Sequence, residues 1–391
     1  MIVNLLTALF TSTFLIFDQF TMYGGLTLGI FFLLILVFII LLQEGKGFEI
    51  KSNKYFLCFM FVIYFSMLVS GLRNESLIHG TGAYYIRGVI LVLGVLIIAQ
   101  RLNLNRSLRV FNLFGLLCAT VVLCQALYIL ISKNPVSPVN ILPIPLEQQR
   151  LWANSFRASG VFSEPQLYAT YMIPLIIVNV IFNKWKIAMY FSISVLASGS
   201  TYGFAIILIL LGWVFFYRGF YKSRRLIYML PLFLILVLGL LSSGIFDEGI
   251  KKLFSTNLMA DIRVGKGLLI FYEMNAVEKL FGLDVSVSDY VRENIVQFPT
   301  LLPYLLEESH LLNYISGFWG IVIHYGLISL IPFILFMCHT YFNGDFYKKA
   351  MVIFIIAHSL SATMMLNGYF VYLFILLLAP SIVDETNENI K

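Results

Sequence analysis

Charged residues are scarce in this chain. They make up 12% of its 391 residues, whereas hydrophobic residues make up 60%. This composition excludes a soluble domain, because too little charge remains to cover a water-facing surface. Apolar runs close to the ~20 residues that cross a bilayer recur along the whole sequence. The sequence therefore predicts an all-α polytopic membrane protein.

Cysteine is also rare, and its positions argue against two kinds of site. The four cysteines lie within apolar stretches or at their ends, at Cys58, Cys118, Cys124 and Cys338. The longer polar segments contain no thiol, so neither a disulfide framework nor a zinc site is indicated. The N-terminus lacks a basic region and a small-x-small cleavage site, so we expect it to be retained as the first span.

Three motifs are missing as well. No Asp-x-Asp occurs in the two long polar segments defined below, so a divalent metal clamping a diphosphate would lack its usual carboxylate pair. No Walker-type glycine loop is present, which argues against the use of nucleotide energy. No internal repeat is found, which disfavours transporters built from duplicated halves. We predict no metal, no cofactor and no nucleic-acid partner, since an excess of 26 basic over 20 acidic residues does not by itself indicate nucleic acid.

The apolar runs predict about twelve membrane spans in a single transmembrane domain, 1–391. Their bounds are 2–18, 23–43, 55–71, 84–100, 110–132, 167–183, 187–199, 200–217, 226–245, 312–336, 351–366 and 368–383. The two spans between 187 and 217 are short, which is compatible with tilting or with bending around Gly199. The last two can alternatively form one helix that is broken at Asn367 and Gly368.

The distribution of basic residues predicts the orientation of these spans in the membrane. They concentrate in one set of alternate short loops, at Lys46, Lys51, Lys54, Arg101, Arg106, Arg109, Lys184, Lys186, Arg218, Lys222, Arg224, Arg225, Lys348 and Lys349. The positive-inside rule makes these loops cytoplasmic, and both termini then lie in the cytoplasm. Twelve spans require the same placement of the termini.

Two longer polar segments, 133–166 and 246–311, then fall on the outer side and contain most of the acidic residues. The first contains prolines at 135, 138, 143 and 145, which predicts an irregular strap. In the second, residues 257–281 are predicted to be mostly helical and amphipathic, with an apolar side that can lie on the membrane. The functional part of the protein is therefore expected to face outward.

The first outer segment ends in a motif that places Arg157 and Glu164 at the mouth of a span. Charge at this depth is costly and usually serves a function. Pro165 suits the first turn of the next helix, which puts Glu164 at the positive end of that helix. A helix cap remains the alternative role of Glu164. For Arg157 the alternative is an interfacial anchor that extends toward lipid phosphates.

Three further cations and a histidine complete the candidates. His310 stands at the head of a span, where its pKa range suits proton transfer, although an ordinary surface histidine is the alternative. Arg87 lies one turn inside the outer end of the fourth span. It either extends to the interface or gathers with Arg157 and Arg263 around an anion, which arginine binds well. For Lys266 we expect a solvated or headgroup-facing charge.

With these motifs the chain resembles the bacterial O-antigen polymerase family, in the wider group that includes O-antigen ligases. Arg157-Ala-Ser-Gly-Val-Phe-Ser-Glu-Pro165 is similar to the arginine-glycine-phenylalanine-x-glutamate-proline signature of such polymerases. Ser198-Gly-Ser-Thr-Tyr-Gly203 looks like the small-polar turn between two later spans. Arg263, upstream of Leu280-Phe-Gly282, resembles the arginine and closing glycine of the large outer loop.

His310 looks like the histidine that begins the following span in this family. An asparagine often directly follows that histidine, whereas here Leu311 follows and Asn313 comes later. The resemblance implies a membrane glycosyltransferase of the GT-C type in the bacterial inner membrane, with its active site facing the periplasm. It would transfer a growing glycan from undecaprenyl diphosphate onto a new lipid-linked repeat unit, without metal or cofactor.

The resemblance also implies roles for the candidates. Arg157, Arg263 and Arg87 would bind the diphosphate, and His310 or Glu164 would orient or deprotonate the acceptor hydroxyl. The implied partners are undecaprenyl-diphosphate-linked oligosaccharides, the lipid bilayer and a polysaccharide chain-length regulator. The rival functions are O-antigen ligase, lipid-linked oligosaccharide flippase and ion-coupled transporter. Mid-membrane positions with almost no charge argue against the last two.

Overall fold

The computed structural model describes residues 2–21, 27–44, 53–73, 82–142, 156–217, 265–283, 287–294, 315–362 and 366–380. These ranges include helices and connecting turns but no β-strand. The prediction of an all-α chain is therefore confirmed for the described residues. The predicted span at 226–245 lies outside them, and the other eleven predicted spans each overlap a described helix.

Fourteen helices occupy the described ranges. They are α1 Ile2–Phe17, α2 Leu28–Glu44, α3 Lys54–Arg73, α4 Gly82–Arg101, α5 Leu104–Ser132, α6 Pro165–Ile181, α7 Trp185–Ala197, α8 Thr201–Tyr217, α9 Gly265–Glu273, α10 Ala276–Phe281, α11 Val287–Glu293, α12 Gly317–Asn343, α13 Phe346–Ser359 and α14 Gly368–Leu378. Helices α3, α5 and α12 are long and apolar enough to cross a bilayer, and α1, α2, α6, α7, α8 and α14 are shorter apolar helices. This composition fits a helical membrane protein, in which helices satisfy their own backbone hydrogen bonds.

The chain divides into two compact units. The first comprises residues 1–45, 101–255 and 375–391. Within it, α5 packs against α1, α6 and α7, and α6 also packs against α8. Small residues bring these helices close together: a Cβ on Gly115 of α5 would lie 2.7 Å from the Phe191 ring of α7. Close backbone approach of this kind is typical of membrane helix packing.

The second unit comprises residues 46–100 and 256–374. Its central helix is α12, which packs against α3, α9, α10 and α13. Phenylalanine rings fill the contact between α3 and α12, with centroid distances of 5.2 Å for Phe59 to Phe333 and 5.4 Å for Phe56 to Phe336. The short helices α9 and α11 share an apolar cluster with Ile323 of α12.

Helix α12 is not continuous. Gly326 has φ 73° and ψ 170°, so the backbone leaves the helical conformation there and two helical pieces meet at a kink. A positive φ is readily available only to glycine. The kink therefore depends on this residue, and the end of α10 packs against it.

Candidate functional site

The Arg157–Glu164 motif lies in the first unit, between the segment that follows α5 and the start of α6. Residues 158–163 are all buried, so the loop is enclosed by the unit. Phe162 is its apolar anchor: the ring is fully buried and lies 5.7 Å from the Tyr168 ring and 5.2 Å from the Tyr171 ring of α6. The loop is therefore fixed at one end by an aromatic cluster on the helix that it precedes.

A buried glutamine on α5 holds the middle of this loop. The Gln125 Oε1 accepts hydrogen bonds from the backbone N–H groups of Ser159 at 3.2 Å and Gly160 at 2.7 Å. Its Nε2 donates to the Ser137 carbonyl at 3.1 Å, in the segment that follows α5. One carboxamide therefore joins α5, the proline-containing strap and the loop. Buried backbone groups need such partners, since an unsatisfied one costs about 1–3 kcal/mol.

A second glutamine holds the end of the loop. The Gln19 Oε1, just after α1, accepts a hydrogen bond from the Ser163 backbone N–H, and its Nε2 donates to the Ile16 carbonyl at 3.2 Å. Gln19 is buried, like Ser163. Two glutamines from different parts of the chain therefore position the residues between Arg157 and Glu164. The sequence analysis missed both, although a glutamine inside or beside an apolar helix is a signal that can be searched for.

Gly160 allows the loop to take this path. Its φ is 65°, in the left-handed region, and its carbonyl accepts a hydrogen bond from the Val139 N–H at 2.8 Å. A Cβ at this position would lie 2.8 Å from Cγ2 of Val122 on α5. Both the backbone conformation and the close approach to α5 therefore require glycine here.

Glu164 is the N-cap residue of α6. Its φ of −147° and ψ of 153° suit this position, and Pro165 follows in the first turn of the helix, as predicted. The side chain makes no capping hydrogen bond. Glu164 therefore stands at the predicted start of the helix, without a capping hydrogen bond from its carboxylate. The longer glutamate side chain is a poor cap compared with Asp, Asn or Ser, and Pro165 contributes no N–H.

The two described arginine candidates are both partly buried. The Nε of Arg157 is enclosed within the first unit. Arg87 lies on α4 in the second unit, where its Nε is buried and has no hydrogen-bond partner among the described residues. A buried guanidinium N–H without a partner is costly, which is consistent with a site for an anion. Arg263 and His310 lie outside the described residues.

The predicted small-polar turn is present between α7 and α8. Gly199 has φ 68°, the Ser198 hydroxyl donates to the Val195 carbonyl at 2.7 Å, and the Ser200 Oγ accepts from the Gly203 N–H at 3.1 Å. The serines therefore close the end of α7 and begin α8. Their hydroxyls serve backbone groups, which gives this motif a structural role.

A second buried polar group lies in the other unit, around Glu278 of α10. Its carboxylate accepts from Arg73 at 3.0 Å, from the Asn275 N–H at 2.9 Å and from the Tyr290 hydroxyl at 3.2 Å. Burial, together with the negative charge of Glu278, raises the pKa of Tyr290 to about 12. A cleft of about 480 Å³ borders this group and is lined by Arg73 and residues 275–278. The sequence analysis did not identify this network.

Lys266 departs from the sequence expectation. The side chain is 2% exposed, so it is neither solvated nor at the headgroups. The first turn of α9 faces α12, and Gly267 beside it would place a Cβ 2.5 Å from the Trp319 ring. The local pattern did not reveal this packing because Trp319 is distant in sequence.

Within the described ranges, no three histidine, cysteine, aspartate or glutamate side chains converge into a potential metal site. Arg157 and Glu164 lie at the two ends of the enclosed loop, which Gln19 and Gln125 support. No protein-family model, no curated protein and no solved structure matches the chain.

Proposed function

We propose that this protein is a bacterial O-antigen polymerase of lipopolysaccharide biosynthesis. It transfers a growing glycan from undecaprenyl diphosphate onto a new undecaprenyl-diphosphate-linked repeat unit at the periplasmic face of the inner membrane. The proposal includes twelve spans, cytoplasmic termini and a GT-C type of membrane fold. The helical membrane architecture and the resemblance of the Arg157–Glu164 motif support it.

The observation that carries the proposal is the loop that holds this motif. An enzyme gains most from charged groups that are already fixed where charge develops in the transition state. The loop is fixed by two buried glutamines and by the aromatic anchor Phe162. A purely interfacial arginine would not need such a support.

The chemistry assigns a role to each group. The acceptor hydroxyl oxygen attacks the anomeric carbon of the donor glycan, and the bond from that carbon to the diphosphate oxygen breaks. The lipid diphosphate leaves with the electron pair, and Arg157 balances its charge. Glu164 or His310 takes the hydroxyl proton.

The rival functions differ in what they would require. O-antigen ligase uses the same donor chemistry with a different acceptor, and the glutamate-proline motif favours the polymerase. A lipid-linked oligosaccharide flippase requires charges along a central cavity instead of a fixed loop at the end of a helix. Both remain outcomes of the experiment below.

The test is a polysaccharide gel of surface lipopolysaccharide from a strain that lacks the gene, with and without the wild-type gene on a plasmid. Collapse of the ladder to core plus one repeat supports the polymerase, because ligation and flipping still operate. Loss of the single-repeat band as well indicates ligase or flippase. An unchanged ladder rejects the proposed function.

A further inference from the structure

Helix α10 and the turn after it lie along the Arg73 end of α3. Glu278 pairs with Arg73, and the Phe281 carbonyl accepts from the Ser66 hydroxyl at 2.5 Å. The Gly282 carbonyl then accepts from the Ser70 hydroxyl at 3.0 Å, nearer the Arg73 end. The chain therefore moves down α3, away from Arg73, as it passes from residue 278 to residue 281.

The depth of this path in the membrane follows from the position of Ser66 along α3. Helix α3 has 20 residues and is one of the helices long enough to cross a bilayer. At ~1.5 Å per residue it is ~30 Å long, which matches the hydrocarbon thickness. Ser66 lies seven residues before Arg73, so its hydroxyl is roughly 10 Å inside the end of the helix. The Phe281 carbonyl is at the same depth.

Backbone at this depth must satisfy its polar groups within the protein. The turn does so: the Phe281 carbonyl also accepts from Ser70 at 2.9 Å, the Gly282 N–H donates to the Glu278 carbonyl at 2.7 Å, and the Leu283 N–H donates to the Ile323 carbonyl at 2.7 Å. Every bond here goes to α10 itself, to α3 or to α12. A turn exposed to water would not need two serines of a membrane span as partners.

The kink in α12 provides the space for this turn. A Cβ on Gly326 would lie 2.0 Å from the Leu280 carbonyl oxygen, and one on Gly282 would lie 2.4 Å from the His324 carbonyl. Two backbones therefore meet where each has a glycine with positive φ. The Tyr325 carbonyl beside the kink accepts from the Ser66 hydroxyl at 2.6 Å, so one serine serves both the kink and the turn.

We propose that residues 275–283 form a re-entrant segment, in which α10 enters the hydrocarbon layer beside α3 and the chain turns back at Gly282. The partner of its outer face is the acyl region of the bilayer. Leu280 is 47% exposed, and the Phe281 ring lies 6.3 Å from Phe65, which belongs to the exposed apolar side of α3 together with Leu68. The apolar surface of the span therefore continues onto α10. This inference does not depend on the proposed glycan chemistry.

The test uses spin labels on the full-length protein in liposomes. The four native cysteines are first replaced by alanine, and single cysteines are introduced at Leu280, at Leu68 and at Glu293. Leu68 on α3 is the lipid-facing reference, and the exposed Glu293 at the end of α11 is the aqueous reference. We expect the label at 280 to collide strongly with oxygen and several-fold less with a water-soluble nickel chelate than the label at 293 does.

A second set of variants tests the serines. Ser66→Ala combined with Ser70→Ala leaves the carbonyls at the turn without partners, so the segment should move outward and the label at 280 should become more accessible to nickel. Ser192→Ala is the matched control, because its hydroxyl donates to the Ala188 carbonyl of its own helix. If the label at 280 matches that at 293 in the unmodified background, the segment lies in water and the proposal is wrong. If the serine pair leaves a lipid-like label at 280 unchanged, the serines do not hold the segment at depth.

Discussion

The Oε1 of Gln125 lies 2.7 Å from the backbone nitrogen of Gly160, 35 residues further along the chain. Through this bond and the one to Ser159, helix α5 determines where the Arg157–Glu164 loop runs. A buried glutamine on α5 thereby holds the backbone between the two charged residues. The first prediction tests this relationship.

Replacing Gln125 with methionine should release the loop. The Ser159 and Gly160 N–H groups would lose their acceptor, which costs about 1–3 kcal/mol for each buried group that stays unsatisfied. We expect a lower melting temperature in detergent and a shortened polysaccharide ladder at matched expression. The control is Asn112→Leu, which removes a buried amide of the same helix that bonds Asn179 at 2.7 Å. If both variants lose activity equally after correction for stability, Gln125 has no positioning role.

Alanine at Gly160 should destabilise the first unit. The substitution would place a non-glycine residue in the left-handed region, which costs about 1–2 kcal/mol of stability. Its Cβ would also lie 2.8 Å from Cγ2 of Val122. Gly212→Ala on α8 is the matched control, because no neighbouring atom of the described residues lies within 4 Å of its added Cβ. Alanine in an open helical position should be neutral or stabilising by up to about 1 kcal/mol. Thermal unfolding of the two variants gives the comparison, and similar melting temperatures would contradict it.

Arg157→Ala should remove most of the proposed polymerase activity while the protein still folds. Loss of one fixed group that stabilises transition-state charge typically lowers the rate on the order of 10²–10³-fold. Arg157→Lys should recover part of the activity, since lysine keeps the charge but loses the two-pronged geometry. The exposed Arg106 near the start of α5 serves as the control, and its alanine variant should retain the ladder. An unchanged polymer length in Arg157→Ala would remove this residue from the site.

Gly326→Ala should be far more damaging than Gly320→Ala, although both lie on α12. The Cβ at position 326 would lie 2.0 Å from the backbone oxygen of Leu280, whereas the Cβ at position 320 would have no neighbouring atom within 4 Å in the part of the chain that the structure describes. Backbone cannot move aside as a flexible side chain can, so α10 should detach from α12. Limited proteolysis between α9 and α11 measures this detachment. Equal protease resistance in the two variants would show that the contact is not tight.

The raised pKa of Tyr290 predicts that the protein loses stability at alkaline pH. This pKa is raised from 10.0 to about 12 by burial and by Glu278. The unfolded chain therefore releases this proton first, and the stabilisation is complete below pH 10 and disappears as the pH rises toward 12. Tyr290→Phe should flatten the loss of stability over this window and lower stability at neutral pH by about 1.5–3 kcal/mol, the value of a hydrogen bond to a charged group. Unfolding as a function of pH provides the measurement, and parallel curves for the two proteins would contradict it.

Periodicity and apolar length predict helices well because they act over neighbouring residues. Eleven predicted spans overlap helices, and the irregular path after α5 is present where residues 133–142 are described. The motif at Arg157 and Glu164 was also recognisable, because glycine and proline punctuate it. The two glutamines that support the motif were not recognisable, because Gln19 is 144 residues from Ser163 and Gln125 is 35 residues from Gly160.

Lys266 and Glu164 show what a local pattern leaves out. Lys266 was expected to be solvated or at the lipid headgroups, yet its side chain is buried in the second unit. Glu164 was expected at the start of α6 and its backbone takes the N-cap position there, but its side chain makes no capping hydrogen bond. Side-chain partners come from tertiary contacts, which a local pattern does not contain.

The two glutamines also determine what can be transplanted. Moving residues 156–165 alone into another scaffold would transfer the charges without the acceptors at Gln19 and Gln125 that keep the loop in shape. A functional graft would need the loop and both segments that carry the glutamines. A design that copied only residues 156–165 should yield an inactive loop without a fixed conformation. For the same reason, searches for distant relatives should weigh a glutamine in each of the two supporting segments together with the motif.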